Sequence, residues 1–419
     1  MSRLQQTLTA VTPEFVIQKL LEELDREEPP EKYEVKIIRS KGFMSHSFKI
    51  VFDWGEEKPA NLPNSVVVKM PTAEKIGAAN EELELPSDAD FTPEENYLLM
   101  KLCHDTETKA YRFMAAAPPV PMPKLYYAQS VDKSANQPGL LIVEDLSEHA
   151  LKARLADDVL NFNQILAVTD QIASLHAYSL SLPKGWEWKY MDDWKTRLNL
   201  MDTWFAYAKA VTMQLSRIDP VRLQHLLTEC LPYLEAAELL KSTTSSYWLG
   251  LPSVLVQGNM WAGNLLWAKD YDGKASNELL AIIDWQNCHP GNCTEDLARI
   301  LATSVSPEIR RNQLNTILRH YHNSLCAKLG SQPFSLEMVH RSYEAILPYN
   351  VVSMAAAVLL LNSNKITGED KETVKKSLQR AHEYLQDFVK SAQNFNMTWT
   401  ESFKLYFLKA VIWIYLKFL

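Results

Sequence analysis

At 419 residues, with 47% apolar and 22% charged side chains, the chain has the composition of a folded protein with room for more than one core, which excludes bulk disorder. A formal net charge of −8 and a pI near 5.8 supply no basic footprint for a nucleic-acid backbone, so DNA and RNA are excluded as partners. Five cysteines, Cys103, Cys230, Cys288, Cys293 and Cys326, are an odd number, and Met1 to Thr12 has no apolar core of signal-peptide length; together these predict reduced thiols and a cytoplasmic protein. Cys288 and Cys293 have no second Cys or His pair at metal spacing, so no zinc site is expected.

In chain order, Thr12-Pro13-Glu14 predicts a helix start, with Val16, Leu20 and Leu24 on one face. Alternation at Val35 and Ile37, and at Phe48, Ile50, Phe52 and Trp54, predicts two strands; Val66-Val-Val-Lys-Met70 predicts a third, buried one. Thr92-Pro-Glu-Glu95 is a capping box ahead of a helix to about Met114, with Leu99, Leu102, Ala110 and Phe113 facing inward. Pro118-Pro-Val-Pro-Met-Pro123 reads as an extended connector. Leu140-Leu-Ile-Val-Glu-Asp145 reads as a strand ending in two carboxylates. Beyond about residue 150 the pattern turns helical, including Phe162 to Ser179 and a long region from Asp219 to Lys241. Strands first and helices later predict an α+β protein. The expected division is 1–146, 147–395 and an apolar segment 396–419.

Within that segment, Leu405 to Leu419 is almost wholly apolar but well short of the roughly 20 residues needed to span a bilayer. Lys404, Lys409 and Lys417 do not gather on one face, so it is expected to be a helix buried against the body, with membrane contact the less favoured alternative.

Several residues suit phosphate chemistry. Lys69 ends an apolar strand, where an ammonium can reach phosphates, and Glu107 on the next helix can pair with it; taken singly they read as a strand-end lysine and an exposed helix glutamate. Ser40-Lys-Gly-Phe-Met-Ser45 lies between two strands, where Gly42, backbone amides and the Ser45 hydroxyl can meet phosphate oxygens, or form an ordinary hairpin turn. Asn264 and Asp284 offer an amide oxygen and a carboxylate to a hard cation such as Mg2+; each alone also suits a turn.

The segment Val254-Leu-Val-Gln-Gly-Asn-Met-Trp-Ala-Gly-Asn-Leu-Leu-Trp267, followed by Leu279-Leu-Ala-Ile-Ile-Asp-Trp-Gln286, resembles the catalytic loop and metal turn of the aminoglycoside phosphotransferase and choline kinase superfamily. Over about residues 35 to 390 the chain looks like a CHK kinase-like, or ecdysteroid kinase-like, protein. Phe43-Met44-Ser45, Leu175-His176-Ala177 and Trp261 resemble its invertebrate, nematode-like members. The resemblance implies a bilobal protein kinase-like fold, ATP and Mg2+ as cofactors, and a small hydroxylated acceptor. It also implies that Glu144 and Leu146 meet adenine through backbone groups, and that Asp296 braces the loop. One position departs from the pattern: Asn259 stands where the family carries its catalytic Asp, with Gln257 in place of the usual His. Asn259 has no proton-accepting pair of useful basicity, so two readings follow. One is a weak or specialised small-molecule kinase; the other is a pseudokinase acting as a nucleotide- or ligand-binding interaction module. Trp186, Trp188, Tyr190, Trp194 and Trp204, interleaved with Asp192 and Asp193, read as core or as an acceptor pocket.

Overall fold

A computed structural model describes residues 11–38, 44–56, 62–74, 86, 89–135, 137–152, 159–362 and 371–418. The chain is α+β, with a sheet-containing N-terminal region and a mostly helical C-terminal region. It divides into two compact units. The first comprises Met1–Glu82, Phe91–Ala150 and Ala281–Asn287, and the second Leu83–Asp90, Leu151–Leu280 and Cys288–Leu419. Against the expected parts 1–146, 147–395 and 396–419, the turn that follows the strand leading to Asp284 groups with the first unit, and residues 396–419 group with the second.

In the first unit, helix α1 (Pro13–Leu24) starts where Thr12 Oγ1 accepts from Phe15 N at 3.2 Å and Pro13 supplies a preset φ. Strands β1 (Lys32–Ile38), β2 (Ser45–Asp53), β3 (Ser65–Pro71), β4 (Leu125–Gln129) and β5 (Leu140–Glu144) form one antiparallel sheet in the order β1-β2-β3-β5-β4. Alternation fixes its register: Phe48 lies opposite Val68 and Ile50 opposite Val66, all buried. With Leu140 and Ile142 they form a core capped by Val16, Leu20 and Leu21 of α1. Burying each such side chain contributes about 1.5–3 kcal/mol before entropy is counted.

Helix α2 (Pro93–Met114) opens with the expected capping box, Thr92 and Glu95 each accepting from the other's backbone N–H. Its buried stripe runs through Leu99, Cys103, Glu107, Ala110, Tyr111 and Met114, at helical spacing. Leu102 and Phe113, expected inside, are half-buried on the flanks. The phase of this stripe matters for function, because it puts the carboxylate of Glu107 inward.

Strand β6 (Ala150–Lys152) joins β8 (Leu265–Lys269) and β9 (Ala275–Ile282) in a small sheet of order β6-β8-β9. Helix α3 (Phe162–Leu180) is capped by Asn161 and Gln164. Helices α4 (Trp186–Tyr190) and α5 (Trp194–Ile218) follow. The continuous helix expected from Asp219 to Lys241 is broken into α6 (Pro220–Cys230), a single 3₁₀ turn (Leu231–Tyr233) and α7 (Ala236–Thr243). Pro232 accounts for the break, since its ring removes an N–H and clashes with the preceding turn. After α8 (Ser245–Leu249), β7 (Val254–Val256) pairs with β10 (His289–Gly291). The rest is helical: α9 (Glu295–Thr303), α10 (Pro307–Leu329), α11 (Leu336–Asn362), α12 (Lys371–Asn394) and α13 (Trp399–Phe418). His176 of α3 is tied to α10 by its Nδ1 contact with the Tyr321 hydroxyl at 2.8 Å.

The expectation of a buried final helix is corrected. Arg341 of α11 holds Glu401 at 2.6 Å, and Glu401 and Leu405 are buried. Trp399, Phe403, Tyr406, Phe407, Trp413 and Ile414 are exposed. No helix among the described residues is long and apolar enough to cross a membrane. All five cysteines are free thiols.

Candidate active site

Within the first unit, strand alternation separates Lys69 from its buried neighbours Val68 and Met70 and puts it on the other face of β3. Its ammonium donates to Glu107 Oε1 and Oε2 at 2.7 and 2.6 Å and to Asp284 Oδ1 at 2.9 Å. The side chains of Lys69, Glu107 and Asp284 are 17%, 5% and 24% exposed, so the cluster is screened from water on the glutamate side and open on the aspartate side. Burial opposes the charged ammonium, but Glu107 and Asp284 more than offset it and hold Lys69 above the ordinary lysine range. Burial also raises the Glu107 carboxyl, as does the charge of Asp284, while Lys69 pulls it down. A strand lysine fixed by a glutamate on the following helix is the arrangement with which protein kinases hold the phosphate-binding lysine.

Asp284 owes its position to a tight turn at the end of β9. Ile282 N donates to Pro121 O at 2.8 Å, and the fully buried Trp285 returns its indole N–H to Ile282 O at 3.0 Å. Asp284 itself has φ 64°, in the left-handed region, which aspartate tolerates better than most side chains. Such backbone costs about 1–3 kcal/mol and persists where the surroundings over-determine it, often at functional sites.

Within the second unit, the loop after β7 is organised from below by Asp296, near the start of α9. Its carboxylate accepts from Gln257 N at 2.8 Å and Gly258 N at 2.9 Å. Gly258 has φ +75°, which a glycine takes without strain, and its carbonyl accepts from the Arg299 guanidinium. Gln257, completely buried, accepts through Oε1 from Asn259 N at 2.7 Å. Asn264 Nδ2 donates to Asn259 O at 2.9 Å, and Ala262 N to Ser304 Oγ at 2.8 Å. Trp261 lies across Gly263, where an added Cβ would fall 2.0 Å from the ring. Burial, helped by Glu295, pushes Asp296 up to about 6 despite its two N–H donors.

The expected site residues thus fall into two groups. Lys69, Glu107 and Asp284 are brought together in the first unit; Asn259 and Asn264, with Gln257 and Asp296, in the second. Gly42 lies outside the described residues. Ser45 opens β2 opposite Pro71. Glu144 ends β5 with its carboxylate accepting from Lys124 N at 3.1 Å, and the Leu146 carbonyl accepts from His149 N and Ala150 N at 3.1 and 2.9 Å. Beside them Asp145, 3% exposed, pairs with Lys49 and accepts from Ser65 Oγ at 2.6 Å. Of the aromatic group, Trp186 and Tyr190 are buried and meet edge to face, and Asp193 is bonded to Arg197.

Sequence reasoning missed Arg299, Ser304 and Lys49. Arg299 was within reach: at three residues from Asp296 on a helix it shares that residue's face. Ser304 and Lys49 carry no local signal.

A family described as "Uncharacterized oxidoreductase dhs-27" (DUF1679) matches residues 9–397. The chain belongs to this family. It is 30% identical over 294 residues to the Caenorhabditis elegans protein "Uncharacterized oxidoreductase dhs-27", covering 68% of this chain but only 34% of that protein, so the chain spans about a third of that relative. It is 24% identical over 343 residues to the C. elegans "Uncharacterized kinase-like protein D1044.1", covering 78% of this chain and 84% of the relative. Among solved structures, a glucosamine kinase aligns over 90% of this chain and 84% of its own at 12% identity, with a loose TM-score of 0.44.

Proposed function

We propose that the chain is a magnesium-dependent nucleotide-binding protein of the small-molecule phosphotransferase class, of CHK kinase-like type, with transfer slowed at Asn259. One observation carries the reading: Lys69 is held as a cation between Glu107 and Asp284 on a strand-helix pair of kinase form. In this reading Lys69 neutralises phosphate charge. Gly42 and Ser45 flank the phosphates, and Glu144 and Leu146 give backbone groups to adenine. By the family resemblance, Asp284 and Asn264 would supply the oxygen ligands of Mg2+, a sparse set that suits a cation which keeps waters and phosphate oxygens around it. The cation supplies charge neutralisation at the phosphates. Strain at Asp284 supports this fit, because the turn aims one carboxylate at the Lys69 ammonium and leaves it partly exposed.

Phosphotransfer would join an acceptor hydroxyl oxygen to the γ-phosphorus, break the β–γ bridging bond and release ADP and a proton. Asn259 cannot take that proton. Losing a positioned base costs about 10²–10⁴ in rate, roughly 3–5.5 kcal/mol. The same residue favours the second reading, a pseudokinase that binds nucleotide and works through its surface. The oxidoreductase wording describes a relative about two-thirds of which lies outside the match, and this sequence contains no Gly-x-Gly-x-x-Gly dinucleotide fingerprint. The acceptor class, a steroid-like, choline-like or xenobiotic alcohol, is carried by the family resemblance alone.

Titrating ATP against the unfolding midpoint, with and without Mg2+, tests the proposal. A magnesium-dependent rise is expected, since a ligand of the folded state stabilises it by mass action. No rise at millimolar ATP in well-folded protein would sink it.

A further inference from the structure

Helix α13 turns its largest apolar side chains to solvent. Trp399, Phe403, Tyr406, Phe407, Trp413 and Ile414 are 81%, 59%, 74%, 55%, 59% and 50% exposed. At ~100° per residue these six positions fall within an arc of about 120°. From Trp399 to Ile414 the strip is about 22 Å long at 1.5 Å per residue. Trp399 and Phe403 stack with centroids 5.8 Å apart, a stiff platform at one end. The opposite side is occupied: Glu401 and Leu405 are buried, and Arg341 clamps Glu401 with bonds of 2.6 and 2.8 Å. A continuous exposed apolar strip of this kind marks an interaction surface.

Charge and composition choose the occupant. Half-buried Lys404 and Lys409 lie on the two flanks of the helix, about 60° and about 40° outside the borders of the strip, with the Lys404 ammonium running beside Gly250. Beyond Glu401, which is neutralised by Arg341, the helix has no acidic residue, on a chain whose net charge is −8. A second copy would set these lysines against their own kind. Tryptophan, tyrosine and phenylalanine flanked by lysine are the side chains that settle at the boundary of lipid headgroups and acyl chains.

We infer that α13 docks the protein onto an anionic lipid bilayer, lying in the plane of the surface with its aromatic strip in the headgroup boundary and Lys404 and Lys409 toward lipid phosphates and carboxylates. This goes beyond the proposed nucleotide chemistry and does not depend on it. The scatter of lysines around the helix argues against an isolated amphipathic anchor, but not against this one. The polar face such an anchor needs is replaced here by the protein body, so Lys404 and Lys409 need only flank the strip, and Lys417 follows its end at Ile414.

The test is flotation of the full chain with phosphatidylcholine vesicles, with and without phosphatidylserine. Wild type is compared with Phe403→Ser/Phe407→Ser and Lys404→Gln/Lys409→Gln, each checked for an unchanged unfolding midpoint. Binding to the anionic vesicles is expected to be at least about tenfold tighter than to neutral ones and to weaken with salt. The phenylalanine pair should lower it by at least about tenfold. The lysine pair should cut the anionic preference by about fivefold per lysine. Should the phenylalanine variant not fold, Trp413→Ser alone is the substitute, with quenching of the wild-type tryptophans by brominated lipid as a measurement free of mutation. No vesicle binding, equal binding to both lipids, or binding indifferent to the aromatic substitutions would each overturn the inference. A concentration-dependent dimer in sedimentation velocity, lost in the phenylalanine variant without any vesicle binding, would assign the strip to a second copy instead.

Discussion

Replacing Lys69 with methionine keeps most of the length of the side chain and removes its charge. In wild type the ammonium makes three contacts of 2.6 to 2.9 Å with Glu107 and Asp284. Without it, two carboxylates face one another, and that of Glu107 is only 5% exposed. Removing one partner from a buried ion pair typically costs about 3–5 kcal/mol, which at about 1 °C per kcal/mol for a chain of this length lowers the unfolding midpoint by about 3–6 °C. The protein can escape part of this by protonating Glu107, whose carboxyl burial already raises. A carboxyl raised in the folded state contributes stability that is complete below its unfolded value and is lost as pH rises through the folded one. The deficit of Lys69→Met against wild type should therefore be larger at about pH 7.5 than at about pH 5, and Lys69→Met/Glu107→Gln should recover much of it at the higher pH. Thermal unfolding at both pH values gives the answer, and ATP should no longer raise the midpoint of Lys69→Met. A variant as stable as wild type at the higher pH, or one that Glu107→Gln fails to rescue, would refute the view of this cluster as a buried cation held between two charges.

Asp296→Asn leaves one of the two loop N–H donors without its acceptor oxygen and should cost about 1–3 kcal/mol in urea unfolding at neutral pH; no loss would mean that the loop holds itself. Asp284→Ala should weaken magnesium-dependent ATP binding in calorimetry far more than Asn259→Ala, and equal losses would undo the metal assignment. Asn259→Asp, nearly isosteric, should raise ATP turnover by at least about tenfold against a panel of steroid, choline-like and phenolic alcohols. Wild type already matching the variant would show that position 259 does not limit the chemistry. Asp145 is buried, which raises it, but Lys49 and the Ser65 and Ser147 donors prevail and hold it at about 2. Its contribution is thus present above the ordinary aspartate range and lost as pH falls toward 2, and Lys49→Met should flatten the acid limb of the stability curve.

What the sequence disclosed was what depends on local pattern. The capping box at Thr92 and Glu95 and the Phe48, Ile50, Phe52 alternation are local chemistry, and both appear where read. Lys69 and Glu107 were found by their order along the chain, but only the phase of α2 shows that Glu107 lies inside. The break at Pro232 was legible and passed over, because the apolar spacing on either side continues as if the helix did. The existence of helix α13 was legible, but not the side on which it meets the body. Its charged residues, Glu401, Lys404, Lys409 and Lys417, are scattered around it and leave no single polar face, so its own sequence does not say which side the body covers.

The Lys69 cluster also bears on why such a site exists. Taking an ammonium and two carboxylates out of water carries a desolvation penalty that their attraction repays only in good geometry, and apolar side chains of the same volume would often serve stability as well or better. Stability is therefore a weak reason for this cluster. A ligand rich in phosphate oxygens is a stronger one, since it needs a cation fixed in place before it arrives and a carboxylate left partly exposed beside it, as Asp284 is. In the second unit, Asp296, Arg299 and Gln257 commit four hydrogen-bonding atoms to the shape of a loop that carries the Asn259 amide. Such bracing suits a loop that must hold a partner in position even where it takes no proton, which makes retained binding with slowed transfer the reading most consistent with both halves of the chemistry.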